Sequence, residues 1–182
     1  DIPIDVQSAK MEPAGMRRFV PPQEPGHRVS DVELDALIKR LGQARRPVIL
    51  AGTGVRAAHA NEEFATLIHR LGIPVTTAWT HDLIATDDPL FCGRPGTIGT
   101  RAGNFTVQNA DLLLILGSRL NIRQVSYNWP GFAARAFKIQ VDIDAAELAK
   151  PTFQPDLAIV ADLKLFLHAL ADRLTSHGGS NA

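Results

Sequence analysis

Four short runs carry residue types that could bind a phosphorylated ligand. Gly52-Thr53-Gly54-Val55-Arg56-Ala57 has the spacing of a dinucleotide fingerprint. Its first glycine permits a tight turn, and its second lets a diphosphate approach bare backbone. Gly93, Pro95, Gly96 and Gly99 crowd a second run, where the glycines either contact a ligand or only shape a loop. Gly117-Ser118-Arg119 offers a guanidinium, a fork of donors for phosphate, unless Arg119 pairs with a carboxylate instead. Asp142-Ile143-Asp144 supplies carboxylates that can accept from ribose hydroxyls or from adenine, although Asp144 is also placed to cap a following helix. The six histidines, at 27, 59, 69, 81, 168 and 177, show no ligand-like grouping, so no metal site is expected. No acidic residue ends the second strand, where an NAD ribose would need one.

Such runs need rigid elements beneath them. Pro47 to Ala51 reads as a short buried strand leading into the first glycine turn. Ser30-Asp31-Val32-Glu33 is a capping box; Leu34, Leu37, Ile38 and Leu41 follow at helical spacing, predicting a helix over 31–41 with Gly42 as its stop. Phe64, Leu67, Ile68 and Leu71 predict a second helix over 61–71, ended by Gly72, before a strand over 73–77. The stretch 78–103 reads as irregular, and 104–109 as a short helix. Leu112 to Leu116 is a continuous apolar run, which suits a parallel strand covered on both faces. Strands over 138–143 and 157–161 follow, and Asp162 is placed to cap a last helix striped by Leu163, Phe166, Leu167, Leu170 and Leu174. This alternation predicts an α/β fold of three layers, with an open, mainly parallel sheet and helices on both faces, Rossmann-like in the manner of NAD- and FAD-binding domains. Ligands in that architecture sit beyond the carboxyl ends of the strands, and four such ends carry candidate residues: Gly52 to Gly54, Thr76 to Thr80, Gly117 to Arg119 and Asp142 to Asp144.

At 182 residues the chain suits one domain with attached segments. Residues 1–6 read as a strand with no lead-in, the expected remnant of a preceding domain. Residues 7–29, with four prolines and no apolar period, read as a linker. The domain proper is expected over 30–175, and 176–182 as a disordered tail. Nineteen basic residues balance nineteen acidic ones, so no global field draws the chain to nucleic acid or an anionic membrane. Its apolar runs fall far short of the roughly 20 residues that span a bilayer, and no charged-then-apolar leader is seen. One cysteine, Cys92, excludes an internal disulfide; a cytoplasmic setting is expected.

Taken together, these strand ends resemble the middle domain of thiamine-diphosphate-dependent enzymes, most closely the acetolactate synthase group. Asp1 to Gln7 resembles the end of that family's pyrimidine-binding domain. Arg46-Pro47-Val48 with its glycine turn, Gly72 to Thr77, Asp88 to Phe91, Gly93 to Thr100, Gly117 to Arg123 and Val141 to Asp144 follow in family order. The resemblance implies a parent that uses thiamine diphosphate and magnesium to decarboxylate a 2-keto acid and to join or transfer the resulting carbanion. Those cofactors would be held by flanking pyrimidine- and pyrophosphate-binding domains, in a homodimer or homotetramer. No Gly-Asp-Gly magnesium motif occurs in the sequence, so the chain alone is expected to be inactive, with no catalytic residue of its own. The family's middle domain holds FAD, ADP or nothing. The contacts implied here are Gly52, Gly54, Gly96, Gly99, Gly117, Arg119, Arg123, Asp142, Ile143 and Asp162. Thr53, Ile98, Asn121 and Ala78-Trp79 depart from the synthase pattern. The alternative is a stand-alone nucleotide-binding module, a sensor or carrier.

Overall fold

The computed structural model describes residues 2–21, 26–80 and 82–178; Asp1, residues 22–25 of the expected linker, His81 and residues 179–182 lie outside them. The chain opens differently from expectation. Residues 4–7 form one helical turn, α1 (Ile4–Gln7), and not a strand; Ile2, Ile4 and Val6 are exposed. A strand satisfies its backbone only across a ladder, and none of the described strands lies beside this segment. The Gln7 N–H therefore turns back to the Pro3 carbonyl at 3.0 Å.

The helix α2 (Asp31–Gln43) begins at the capping box. Ser30 Oγ accepts from the Glu33 N–H at 3.3 Å, and the Glu33 carboxylate accepts from the Ser30 N–H at 2.8 Å. It runs through Gly42, the expected stop, because one interior glycine costs a helix only about 1 kcal/mol. Strand β1 (Pro47–Ala51) passes through Gly52 into a short unanticipated helix, α3 (Thr53–Ala57), then α4 (Asn61–Leu71). Gly72 ends α4 at φ 61°, in the left-handed region that glycine enters freely. Strand β2 (Val75–Thr77) starts two residues later than expected, since Pro74 has no N–H to give to a ladder. The outer edge of β2 is covered by residues 90–92, with Val75 N–H on the Leu90 carbonyl at 2.7 Å and Cys92 N–H on the Val75 carbonyl at 2.8 Å.

Helix α5 (Arg101–Asn109) starts three residues early, because Thr100 Oγ1 accepts from the Gly103 N–H at 3.0 Å and caps it. Then come β3 (Leu112–Leu116), α6 (Ile122–Val125), β4 (Phe137–Asp142), α7 (Ala145–Leu148), β5 (Leu157–Val160) and α8 (Leu163–Gly178). The last helix occupies residues 176–178 of the expected tail. Among the described residues no helix is long and apolar enough to cross a membrane.

The five strands form one parallel sheet in the order β2-β1-β3-β4-β5, a three-layer α/β fold. Ile49 lies between Val75 and Leu114, and Leu114 beside Ile139, so the rows of side chains are in step across the sheet. One face buries Ile49, Ala51, Leu112, Leu114, Leu116, Ile139 and Val141 under α2, α3, α4 and α8. The other buries Val48, Leu50, Leu113 and Ile115 under α5, α6 and an irregular segment carrying Phe132, Ala133 and Ala136. The chain leaves β1 for β2 on one side and returns to β3 on the other, so the topology reverses between β1 and β3.

Candidate functional site

The reversal point lies where β1 and β3 deliver their glycines. The backbones there touch each other. Gly52 N–H donates to the Leu116 carbonyl at 2.8 Å and Gly54 N–H to the Gly117 carbonyl at 2.9 Å. A Cβ added to Gly52 would stand 2.2 Å from the Gly117 oxygen, and one added to Gly54 would stand 2.6 Å from Gly117 Cα. Gly117 itself sits at φ 56°. The residue types of the fingerprint are thus required by strand-turn packing, and the Gly54 amide that could have met a phosphate is already engaged.

Beside this contact lies a cavity of about 150 Å³, walled by Gly54, Ala57, Ala58, Gly117, Asp142, Ile143, Ala161, Asp162 and Leu163. Five of the ten expected residues meet there: Gly54, Gly117, Asp142, Ile143 and Asp162. Gly52 packs just behind them. Asp142 ends β4; one of its oxygens accepts from the Asp144 N–H at 3.0 Å. Desolvation pushes the Asp142 carboxyl up from its ordinary value, with the nearby charges of Glu147 and Asp144 adding to the rise. Asp162 caps α8 by accepting from the Leu165 N–H at 3.0 Å, and its own N–H donates to the His27 carbonyl at 2.9 Å, which ties the incoming segment to the sheet edge. Asp144 caps α7, accepting from the Ala146 N–H at 2.9 Å.

Arg119 takes the carboxylate-pairing option. Its Nε donates to Glu147 Oε1 at 2.7 Å, Nη2 reaches the same oxygen, and Lys150 Nζ bonds Glu147 Oε2 at 3.0 Å. The Arg119 hydrogen bond holds the Glu147 carboxyl below the ordinary range. Arg119 nonetheless keeps 75% of its side-chain exposure.

Gly96, Gly99 and Arg123 assemble elsewhere. Thr97 N–H donates to the Arg123 carbonyl at 2.8 Å, and Asn104 clamps both backbone groups of Gly96, at 2.9 and 3.1 Å. A Cβ on Gly96 would stand 2.5 Å from the Arg123 oxygen, and one on Gly99 would stand 2.4 Å from the Arg94 oxygen. These glycines also serve the fold of their own loop. Sequence reasoning missed Glu147, and it missed the buried polar set Ser118, Gln124 and Gln140. The available signal was Gln140, a polar residue inside an otherwise apolar strand.

Residues 34–170 match the family described as "Thiamine pyrophosphate enzyme, central domain". The chain belongs to this family. It is also similar to the probable acetolactate synthase large subunit of Methanococcus aeolicus, 34% identical over 96% of this chain and 30% of that protein. The probable chloroplastic acetolactate synthase 2 of Oryza sativa subsp. japonica is 36% identical over 100% of this chain and 28% of its own length. The acetolactate synthase large subunit of Corynebacterium glutamicum is 34% identical, over 94% and 28%. The chain thus spans under a third of these relatives. In this thiamine pyrophosphate enzyme central domain, the strand-edge cavity is where five of the expected contact residues meet. The cavity is about half the roughly 300 Å³ at which drug-sized sites begin, so it suits one ring system and not a whole dinucleotide. Its small alanines leave room for a flat base, and Asp142 and Asp162 can accept from amino or hydroxyl groups.

Proposed function

We propose that this chain is the central domain of an acetolactate-synthase-like enzyme, which uses thiamine diphosphate and magnesium to decarboxylate a 2-keto acid and transfer the resulting carbanion. The observation that carries the reading is the family match over residues 34–170, joined to the chain's 30% share of a relative named as an acetolactate synthase. In the reading, flanking pyrimidine- and pyrophosphate-binding domains of the same cytoplasmic parent hold the cofactor, and the parent is a homodimer or homotetramer. Residues 1–6 close the preceding domain, 7–29 form the linker, and 30–175 brace the catalytic domains. The strand-edge cavity receives the adenosine end of an ADP-like ligand, with Asp142 and Asp162 as acceptors and Arg119 facing the diphosphate. FAD would place its flavin end outside the cavity.

The test is an assay of the parent polypeptide with pyruvate, thiamine diphosphate and magnesium. Carbon dioxide release by the parent and none by the 182-residue chain is the expected result. A parent with no flanking catalytic domains would sink the reading and favour a stand-alone nucleotide module. For the ligand, a thermal-shift titration should show saturable stabilisation by ADP that Asp142→Ala abolishes. Yellow purified protein with flavin absorption bands would instead support FAD.

A further inference from the structure

On the face of the sheet away from the strand-edge cavity, the row Thr76, Leu50, Ile115 and Gln140 runs beneath α5 and α6. Gln140 is fully buried and Gln124 is 5% exposed. Ser118 links them: its Oγ donates to Gln124 Oε1 at 3.1 Å, and its carbonyl accepts from Gln140 Nε2 at 3.1 Å. Gln124 Nε2 then has no hydrogen-bond partner, and neither does Gln140 Oε1, although buried polar groups in folded proteins are mostly paired.

Gln124 also lines a cavity of about 330 Å³. Three further side-chain amides stand in its wall, those of Asn104, Gln108 and Asn128, with Phe132 as an apolar surface. No charged side chain lines it among the described residues. Next to Gln124, Ser126 is held at φ 60° and ψ −164°, a conformation that side-chain-bearing residues rarely adopt and that tends to cluster at ligand sites. A charged ligand would find no counter-charge here. A flat uncharged group with adjacent C=O and N–H would find amide partners for both and an aromatic edge to lie against.

We propose that this cavity is a second small-molecule site, selective for an uncharged carboxamide or lactam ring of the kind found in nucleobases, with the side-chain amides of Gln124, Gln108 and Asn128 as its polar partners. The site is independent of the strand-edge nucleotide reading, since the two cavities share no residue. The probes are uracil and nicotinamide, with benzoate as a charged aromatic control, titrated into the ¹⁵N-labelled full chain. Saturable shifts of the Gln124 side-chain amide and the Ser126 backbone amide are expected with both probes and not with benzoate. Gln124→Met should weaken binding at least tenfold. Asn128→Ala, at an exposed position where folding is not at stake, should weaken it severalfold. Absence of saturable shifts up to the probes' solubility, equal binding of benzoate, or unchanged affinity in the two variants would each overturn the proposal.

Discussion

The two faces of the sheet are closed by opposite means. The first is covered by helices that contribute stripes: Leu34 and Leu37 from α2, Phe64, Leu67 and Ile68 from α4, and Phe166, Leu167 and Leu170 from α8. The second is covered by α5, one turn of α6 and irregular chain, in which Leu120, Ser126 and Ala133 all have positive φ. A helix satisfies its own backbone, so the first face can be wholly apolar. Irregular chain cannot, so the second face must supply side-chain partners: Gln140 for the Ser118 carbonyl, and Asn104 for both groups of Gly96. Buried amides on that face follow from the choice of cover. The unpaired Gln124 Nε2 and Gln140 Oε1 are the surplus, and a buried polar group without a partner costs about 1–3 kcal/mol.

The largest effect should come from emptying the better-packed face. Phe166 has no exposed surface, and Phe166→Ala is expected to cost about 3–5 kcal/mol in urea unfolding. Phe132, on the second face, already borders two cavities, of about 330 and 340 Å³, and so has fewer neighbours to lose. Phe132→Ala should cost about 2 kcal/mol, below the usual range for such a truncation. Equal costs would break the contrast between the faces.

Next in size is the seam at the reversal point, which belongs to the first face because Leu163 closes on it. A Cβ at Gly117 would stand 2.6 Å from both Gly54 Cα and Leu163 Cδ1, at a φ of 56°. Gly117→Ala should cost about 3 kcal/mol, overpacking of roughly 1–3 kcal/mol plus about 1 kcal/mol for the left-handed backbone. Gly42→Ala is the matched control. It sits inside α2 with nothing near its Cβ position, and it should raise stability by about 0.5–1 kcal/mol. If Gly117→Ala proves harmless, the seam is looser than its contacts imply, and the Gly54 amide becomes available to a phosphate.

Much of the first face was legible beforehand because its determinants are local. The Ser30 capping box, the stripes of α4 and α8 and the apolar run of β3 are each written within a dozen residues. The second face was not, since no local pattern says that Asn104 will clamp Gly96 or that Gln124 will meet Ser118. The site divides the same way. Gly54, Gly117, Asp142, Ile143 and Asp162 converge because strand ends converge, which topology alone predicts. Whether a glycine serves a ligand or a neighbouring backbone depends on what occupies its missing Cβ, and at Gly52, Gly54, Gly96 and Gly99 the occupant is the chain itself. Arg119 found Glu147 across a turn, α7, that is too short to announce itself.

The smallest effect tests Asp142, the ionisable group buried at the carboxyl end of β4. Asp142 is 8% exposed, and desolvation raises its carboxyl above the unfolded value of about 3.9. The unfolded chain therefore ionises first as pH rises, binds fewer protons than the fold, and gains relative stability. The contribution of Asp142 to native stability should fall from about pH 4 up through its folded value and then level off, and comparison with Asp142→Asn isolates it from the other carboxyls. Asp142→Asn keeps an oxygen for the Asp144 N–H but cannot ionise. It should be more stable than the parent chain at pH 7 and match it near pH 3, as read from urea midpoints at the two values. Gln140→Leu, which removes a neutral buried amide from the second face, should shift stability by the same amount at both. An Asp142→Asn difference that does not change with pH would mean that the strand-end carboxylate is solvated after all, and that burial at the end of β4 treats it no differently from the neutral amide of Gln140.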